Sequence, residues 1–189
     1  YKNKTIIIAL YLKTKIVFIM KKVLVTGGTG YIGSHTVVEL SKAGYKPIII
    51  DNLSNSKKEI IPILEKLCGQ KIPFFNIDCS NEKDMENKNI WKDVYGIIHF
   101  AAHKSVSESV LKPKKYFLNN IGSTQVLLKI MQQKKIENLV FSSSCTVYGE
   151  PSALPVTENS TIKKPTSPYG ETKKKCEEII QKSKLEKYA

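Results

Sequence analysis

Arginine is missing altogether: all 30 basic residues are lysine, set against 17 acidic ones, for a net charge of +13. Arginine is the usual bidentate reader of bases and phosphates, so its absence weighs against sequence-specific nucleic-acid recognition despite the charge. The lysines are scattered over prospective helix faces, in clusters no longer than Lys173 to Lys175. Such an excess bears on solubility and on attracting an anionic ligand rather than on fold, and no nucleic-acid partner is expected. Cysteine is sparse too. Cys68, Cys79, Cys145 and Cys176 form no CxxC pair and no zinc-type spacing with histidine. No metal is expected, and scattered thiols without an evident secretion signal suit a reducing, cytoplasmic setting.

Long apolar runs are also lacking. IIIALYL and IVFI, within the first nineteen residues, are interrupted by Lys13 and Lys15 and fall well short of the ~20 residues that span a bilayer. No small-residue cleavage site follows them, as a signal peptide would require. With Tyr1 at the start and Met20 ahead of a charged pair, residues 1–19 are read as an extraneous or upstream extension. Residues 20–189 are read as the folded domain, and no membrane partner is expected.

What is present from residue 21 onward is a regular alternation. Strand-length apolar runs at 23–26, 47–51, 71–78, 96–101 and 138–144 are separated by helix-length segments at about 31–43, 56–67, 81–90 and 113–134. In the last of these Ile121, Val126, Leu127, Ile130 and Met131 recur at helical spacing. A Pro-, Ser- and Thr-rich stretch, 145–168, reads as loop, and a final helix is expected over 169–186. Short, continuously apolar strands between helices are the mark of parallel strands buried on both faces. The expected fold is therefore α/β, a doubly wound parallel sheet of the Rossmann type with strand order 3-2-1-4-5. Its ligand crevice should lie at the carboxyl ends near strands 1 and 4.

Gly28-Thr29-Gly30-Tyr31-Ile32-Gly33 fits GxGxxG, and Gly27, Gly30 and Gly33 sit at GxxGxxG spacing. The pattern is weak alone and strong in this context, between a strand and a helix, with Asp51 closing the next strand. Glycines let the backbone approach a pyrophosphate, and the helix N-terminus offers it unpaired N–H groups. Asp51 is placed to accept from ribose hydroxyls and would repel a 2′-phosphate, so NAD is expected rather than NADP. Tyr169 and Lys173 share one face of the last helix at i and i+4. A free phenol is a poor base at neutral pH, and a fixed ammonium beside it favours the phenolate. The Ser142-Ser143-Ser144 run closes strand 5, where a strand-end hydroxyl is placed to hold a reacting oxygen against Tyr169. His99, inside an apolar strand, reads as a core or cofactor-adjacent histidine, and His35 as structural.

Together TGGTGYIGSHT (26–36), DNLSNS (51–56), HFAAHKSVSES (99–109), FSSSCTVYG (141–149) and SPYGETK (167–173) resemble the UDP-glucose 4-epimerase family, a branch of the extended short-chain dehydrogenases. The resemblance runs from about Lys21 to the C-terminus. It implies that Tyr31 and Ile32 touch the pyrophosphate. Asp51, Asn52, Leu53, Ser54, Asn55 and Ser56 would surround the adenosine ribose, with Asp78 and Cys79 flanking adenine. Phe100, Ala101, Ala102, His103, Lys104 and Asn119 would line the nicotinamide half, and Lys104 would also meet the sugar nucleotide. Ser144, Tyr169 and Lys173 match the catalytic serine, tyrosine and lysine. The implied reaction interconverts UDP-glucose and UDP-galactose through a 4-keto sugar on bound NAD, in a full-length homodimer.

Two departures stand out. Cys145 follows Ser144 where the family has Ala or Ser, and Cys79 replaces an aliphatic residue. The sequence also ends at Ala189, near half the family's length. On that reading it is truncated before the C-terminal substrate domain, lacks the strand after the last helix, and does not turn over by itself. A dehydratase of the same branch would carry Asp-Glu where Cys145-Thr146 stand.

Overall fold

The computed structural model describes residues 20–183 and the two-residue strand Lys187–Tyr188; the segment 1–19 lies outside the described residues. A parallel sheet organises the chain. Its strands are β1 (Lys22–Thr26), β2 (Lys46–Ile50), β3 (Phe74–Phe75), β4 (Val94–His99), β5 (Asn138–Phe141) and β6 (Lys187–Tyr188), in the order β3-β2-β1-β4-β5-β6. Expected order and observed order agree for the first five strands. The sixth is a correction: the strand expected to be missing begins within this chain, where Lys187–Tyr188 pairs with Asn138 and Leu139 of β5.

Why the strands read as unbroken apolar runs is plain from the packing. Leu24, Ile48, Ile50, Ile97 and Leu139 point into one core layer, while Val25 and Ile49 point into the other. Successive side chains of a strand face opposite ways, so both parities must be apolar when both faces are covered. The first layer is closed by Leu127, Ile130 and Met131 of helix α7 (Gly122–Lys134) and Ile180 of helix α8 (Pro168–Lys182). The second is closed by Val37 of helix α1 (Tyr31–Lys42) and Leu64 of helix α2 (Ile60–Cys68). Each fully buried aliphatic side chain contributes roughly 1.5–3 kcal/mol, so the two layers hold the crossovers against the sheet.

Several boundaries depart from expectation, each for a local reason. Strand 3 pairs only at Phe74 and Phe75, because Asn76 turns its side-chain amide onto the Asp51 carbonyl and Ile77 N–H shares that acceptor. The 81–90 segment is two short helices, α3 (Glu82–Met85) and α4 (Lys88–Trp91), since the Asn81 and Asn87 side chains each cap a new start. Helix α5 (Val106–Leu111) stands in a stretch read only as a motif. The 113–134 helix is one path in three pieces: helix α6 (Pro113–Tyr116), a π-turn over Phe117–Ile121, and α7. A 3₁₀ turn, Cys145–Tyr148, opens the loop after β5, and α8 spans Pro168–Lys182, the expected end at 186 lying outside the described residues. Among the described residues no helix is long and apolar enough to cross a membrane.

Candidate functional site

At the carboxyl edge of the sheet, between β1 and β4, a crevice of about 860 Å³ runs from Asp78 to Tyr169. Its floor is the turn after β1. Gly27 adopts φ +69, and a Cβ there would come within 2.8 Å of the Ala101 nitrogen, so this turn and the loop after β4 touch backbone to backbone. Gly33 is more constrained. A Cβ on it would stand 2.2 Å from the Gly27 carbonyl oxygen, which only the absence of a side chain allows. Helix α1 starts at Tyr31 with Gly30 as its cap and no side-chain cap hydrogen bond. Its first N–H groups and its dipole therefore face the crevice unclaimed by a side chain, as an anion site requires. The residues thus fit a pyrophosphate-bearing ligand.

At the β2 end, Asp51 is buried and fully engaged. One carboxylate oxygen accepts from Thr29 N–H at 3.1 Å, and the other from Leu53 N–H at 2.9 Å and the Ser56 hydroxyl at 3.2 Å. The Thr29 and Ser56 hydroxyls meet at 2.7 Å. Asp78 accepts from Asn52 and from the Ser80 amide and hydroxyl. Burial opposes its charge, yet these donors, with His103 nearby, hold its carboxyl below the usual range. Cys79 is buried beside it, its thiol pushed well up chiefly by burial and so an inert wall.

The β4–β5 end is built differently. Lys173 is only 4% exposed. Its ammonium donates to the Ser142 carbonyl at 2.7 Å and lies 4.7 Å from the centre of the Phe141 ring. No carboxylate pairs with it among the described residues, and burial lowers its pKa to about 8. Tyr169 stands one turn earlier, its N–H on the Ser109 hydroxyl at 3.2 Å. His99 is buried between the Thr26 and Thr124 hydroxyls, at 2.6 and 3.4 Å. Burial, then the Lys173 charge, lowers it to about 3, so it stays neutral. It is the satisfied core histidine expected from its strand.

Of the residues assigned from sequence to the cofactor, the substrate or catalysis, the crevice wall includes all but Leu53 and Ser144. Leu53, at φ +58, is off the wall and meets Asp51 through its own N–H. Ser144 lines the adjoining depression with Cys145, Tyr148 and Glu158 instead. There its hydroxyl accepts from the Thr146 amide at 3.3 Å and the Thr146 hydroxyl at 2.9 Å. Ser143 lies between, lining both spaces, with its hydroxyl oxygen buried and without a partner among the described residues.

Ile77, Ser105 and Ser123 join the wall unforeseen, as do Glu108, Lys115 and Tyr116. Buried behind the wall is Asn120, whose side chain accepts from His103 N–H at 2.8 Å and donates to the His103 carbonyl and the Thr172 hydroxyl, each at 3.0 Å. It ties the loop after β4 to α8. Nothing in its sequence spacing marks it, because the π-turn that swings it inward is a backbone choice.

Sheet and crevice together define a nucleotide-binding α/β domain whose far wall carries a tyrosine–lysine pair. Comparison with known proteins makes that specific. The model of the NAD dependent epimerase/dehydratase family matches residues 23–187, and the chain belongs to that family. It is 48% identical over 160 residues to the UDP-glucose 4-epimerase of Dictyostelium discoideum, covering 85% of this chain and 46% of that protein. To the UDP-glucose 4-epimerase of Neisseria meningitidis serogroup B it is 45% identical, over 85% of this chain and 48% of the relative. Among solved structures, UDP-glucose 4-epimerase from Bifidobacterium longum in complex with NAD+ and UDP superposes with a TM-score of 0.83 at 41% identity, covering 85% and 48% of the two chains. The UDP-Glc/GlcNAc 4-epimerase from Campylobacter jejuni follows at 0.81 and 34%, over 86% and 49%. The chain thus spans about half the length of the curated relatives it matches.

Proposed function

We propose that residues 20–189 are the NAD-binding domain of a UDP-glucose 4-epimerase that, as the full-length protein, interconverts UDP-glucose and UDP-galactose. The observation that carries this reading is the convergence of the glycine turn and the Tyr169–Lys173 face on one crevice. The similarity to epimerases solved with NAD supports the same cofactor here. In the bound state Gly27, Gly30, Tyr31, Ile32 and Gly33 would cradle its pyrophosphate. Asp51 to Ser56 would hold the adenosine ribose, and Asp78 and Cys79 the adenine. Phe100 to Lys104, Asn119 and Lys173 would hold the nicotinamide half. NAD supplies the acceptor and donor of the C4 hydride.

The chain's own groups would handle the proton. Tyr169 takes it from the sugar 4-hydroxyl and returns it, general acid–base work of a kind worth ~10²–10⁴ in rate. Lys173, with no counter-carboxylate among the described residues, would set its positive charge one helical turn from that phenol. Ser144 steadies the 4-oxygen through the 4-keto stage, once its hydroxyl is released from Thr146. Lys104, exposed at the crevice lip, would meet the sugar nucleotide. A homodimer is in keeping with the exposed Val110, Leu111 and Leu118, and a cytoplasmic setting with four unpaired thiols. A broader reading that includes N-acetylated sugars is favoured by the likeness to the Campylobacter jejuni enzyme.

Incubating the full-length protein with UDP-galactose, and separately with UDP-N-acetylgalactosamine, tests both readings. UDP-glucose should appear without added cofactor. No conversion of either sugar, in a protein that retains NAD, would overturn the assignment.

A further inference from the structure

The first turn of α8 does not carry Tyr169 unaided; it rests on α5 and α6. Ser109 of α5 accepts the Tyr169 N–H, which fixes the backbone but leaves the ring free to turn about χ1. Tyr116, the last residue of α6, is fully buried. Its ring meets the Tyr169 ring edge-to-face, with centroids 6.5 Å apart and planes at 83°, within the range of a favourable aromatic pair. The same ring leans on His103 at 5.5 Å, so one side chain touches both the loop that lines the crevice and the residue proposed as base.

Tyr116 is itself held at its far end. Its hydroxyl donates to Glu108 at 2.8 Å, and the second Glu108 oxygen accepts from Lys115 at 2.8 Å. Lys115 and the Tyr116 hydroxyl keep the Glu108 carboxyl below its usual range, and burial followed by Glu108 keeps the Tyr116 phenol above its own. The bond therefore stays a neutral phenol on a carboxylate across the physiological range. Glu108 and Ser109 are neighbours on α5, so one short helix sets both the backbone and, through Tyr116, the ring of Tyr169.

We infer that Tyr116, anchored by Glu108, is a positioning residue that confines the Tyr169 ring to the rotamer facing the cofactor crevice. This rests on the epimerase reading for its consequence in turnover, but the conformational claim stands apart from it. Removing the ring frees Tyr169 to sample other rotamers, whereas removing only the hydroxyl keeps the wall.

The test compares Tyr116→Leu with Tyr116→Phe. In this chain, three-bond couplings from the backbone nitrogen and carbonyl carbon to the Tyr169 Cγ report χ1 directly. They should show one rotamer in the wild type and in Tyr116→Phe, and an average of rotamers in Tyr116→Leu. In the full-length protein, kcat should fall about five- to tenfold in Tyr116→Leu while KM and the NAD affinity stay within twofold, and Tyr116→Phe should restore kcat. Couplings unchanged in Tyr116→Leu would overturn the inference, whatever the activity. Should Tyr116→Leu fail to fold, Tyr116→Met, which also removes the ring, replaces it. Averaging of χ1 there would support the inference, and an unmoved χ1 would overturn it. A wild type that keeps NAD, converts no sugar and yet shows the expected couplings would sink the epimerase reading alone.

Discussion

The two ends of the crevice solve opposite problems. At the adenosine end every charge is answered: Asp51 and Asp78 accept from backbone and side-chain donors within 3.2 Å. At the other end, among the described residues, a buried ammonium has one carbonyl and one ring face for company, and a buried serine hydroxyl has no partner. Satisfied polar groups rigidify a site, while unsatisfied ones destabilise it unless something bound completes them. On the proposed reading, the contrast separates a region built to hold from a region built to react, where local instability is tolerated.

The sharpest way to break that contrast is chemical. Tyr169→Phe in the full-length protein should lower kcat by on the order of 10²–10⁴ while leaving NAD affinity within twofold, measured by calorimetry. A variant that still turns over would move the base elsewhere. Next in size is Gly33→Ala at the holding end. Its Cβ would clash with the Gly27 carbonyl at 2.2 Å, and backbone cannot give way as a side-chain tip can. A loss of about 2–3 kcal/mol, with NAD affinity down at least tenfold, is expected from denaturant melts and titration of this chain.

Lys173→Met tests the reacting end by its stability. A lysine lowered from its ordinary 10.5 to about 8 is penalised for its charge in the fold. Below pH 8 both states are protonated and the penalty is complete. Between pH 8 and 10.5 the unfolded state holds more protons, so the wild type gains stability as pH rises. The gap corresponds to roughly 3 kcal/mol, from which the lost bond to the Ser142 carbonyl subtracts about 1 kcal/mol. Lys173→Met should therefore be more stable than the wild type by about 1–2 kcal/mol at pH 7, lose that advantage above pH 10.5, and be inactive in the full-length protein. A destabilised methionine variant at pH 7 would show that the ammonium is welcome in its place.

The holding end was also the legible one. A glycine pattern after VLVT and an acidic residue closing the next strand carry their geometry in the sequence, because only glycine fits at Gly33 and only a strand end puts Asp51 at the crevice. The order of the first five strands followed from the same alternation of apolar runs. The reacting end was legible in Tyr169 and Lys173, which share a helix face, but not in what seats them. Tyr116, Glu108 and Asn120 act through a π-turn and short helices, and no periodicity encodes those. Ser144 was read by likeness, and in the structure it turns to Thr146 instead of the crevice wall. Strand 3 was overread because Ile77 prolongs the apolar run of Ile72 to Phe75, yet Asn76 and Ile77 are spent on the Asp51 carbonyl.

The smallest effect is the most discriminating, since it compares like with like. Ser56 and Ser143 are both crevice serines, but the Ser56 hydroxyl bonds Asp51 and Thr29, whereas that of Ser143 bonds nothing. Truncating a satisfied hydroxyl leaves its partners short, at a cost of about 1 kcal/mol or somewhat more for a carboxylate partner. Truncating an orphan removes a desolvated group and costs nothing. In matched urea melts of this chain, Ser56→Ala should lose about 1 kcal/mol and Ser143→Ala should hold or gain a few tenths. Equal losses at the two positions would mean that the reacting end is as fully satisfied as the holding end. The Ser143 hydroxyl would then have a partner of its own.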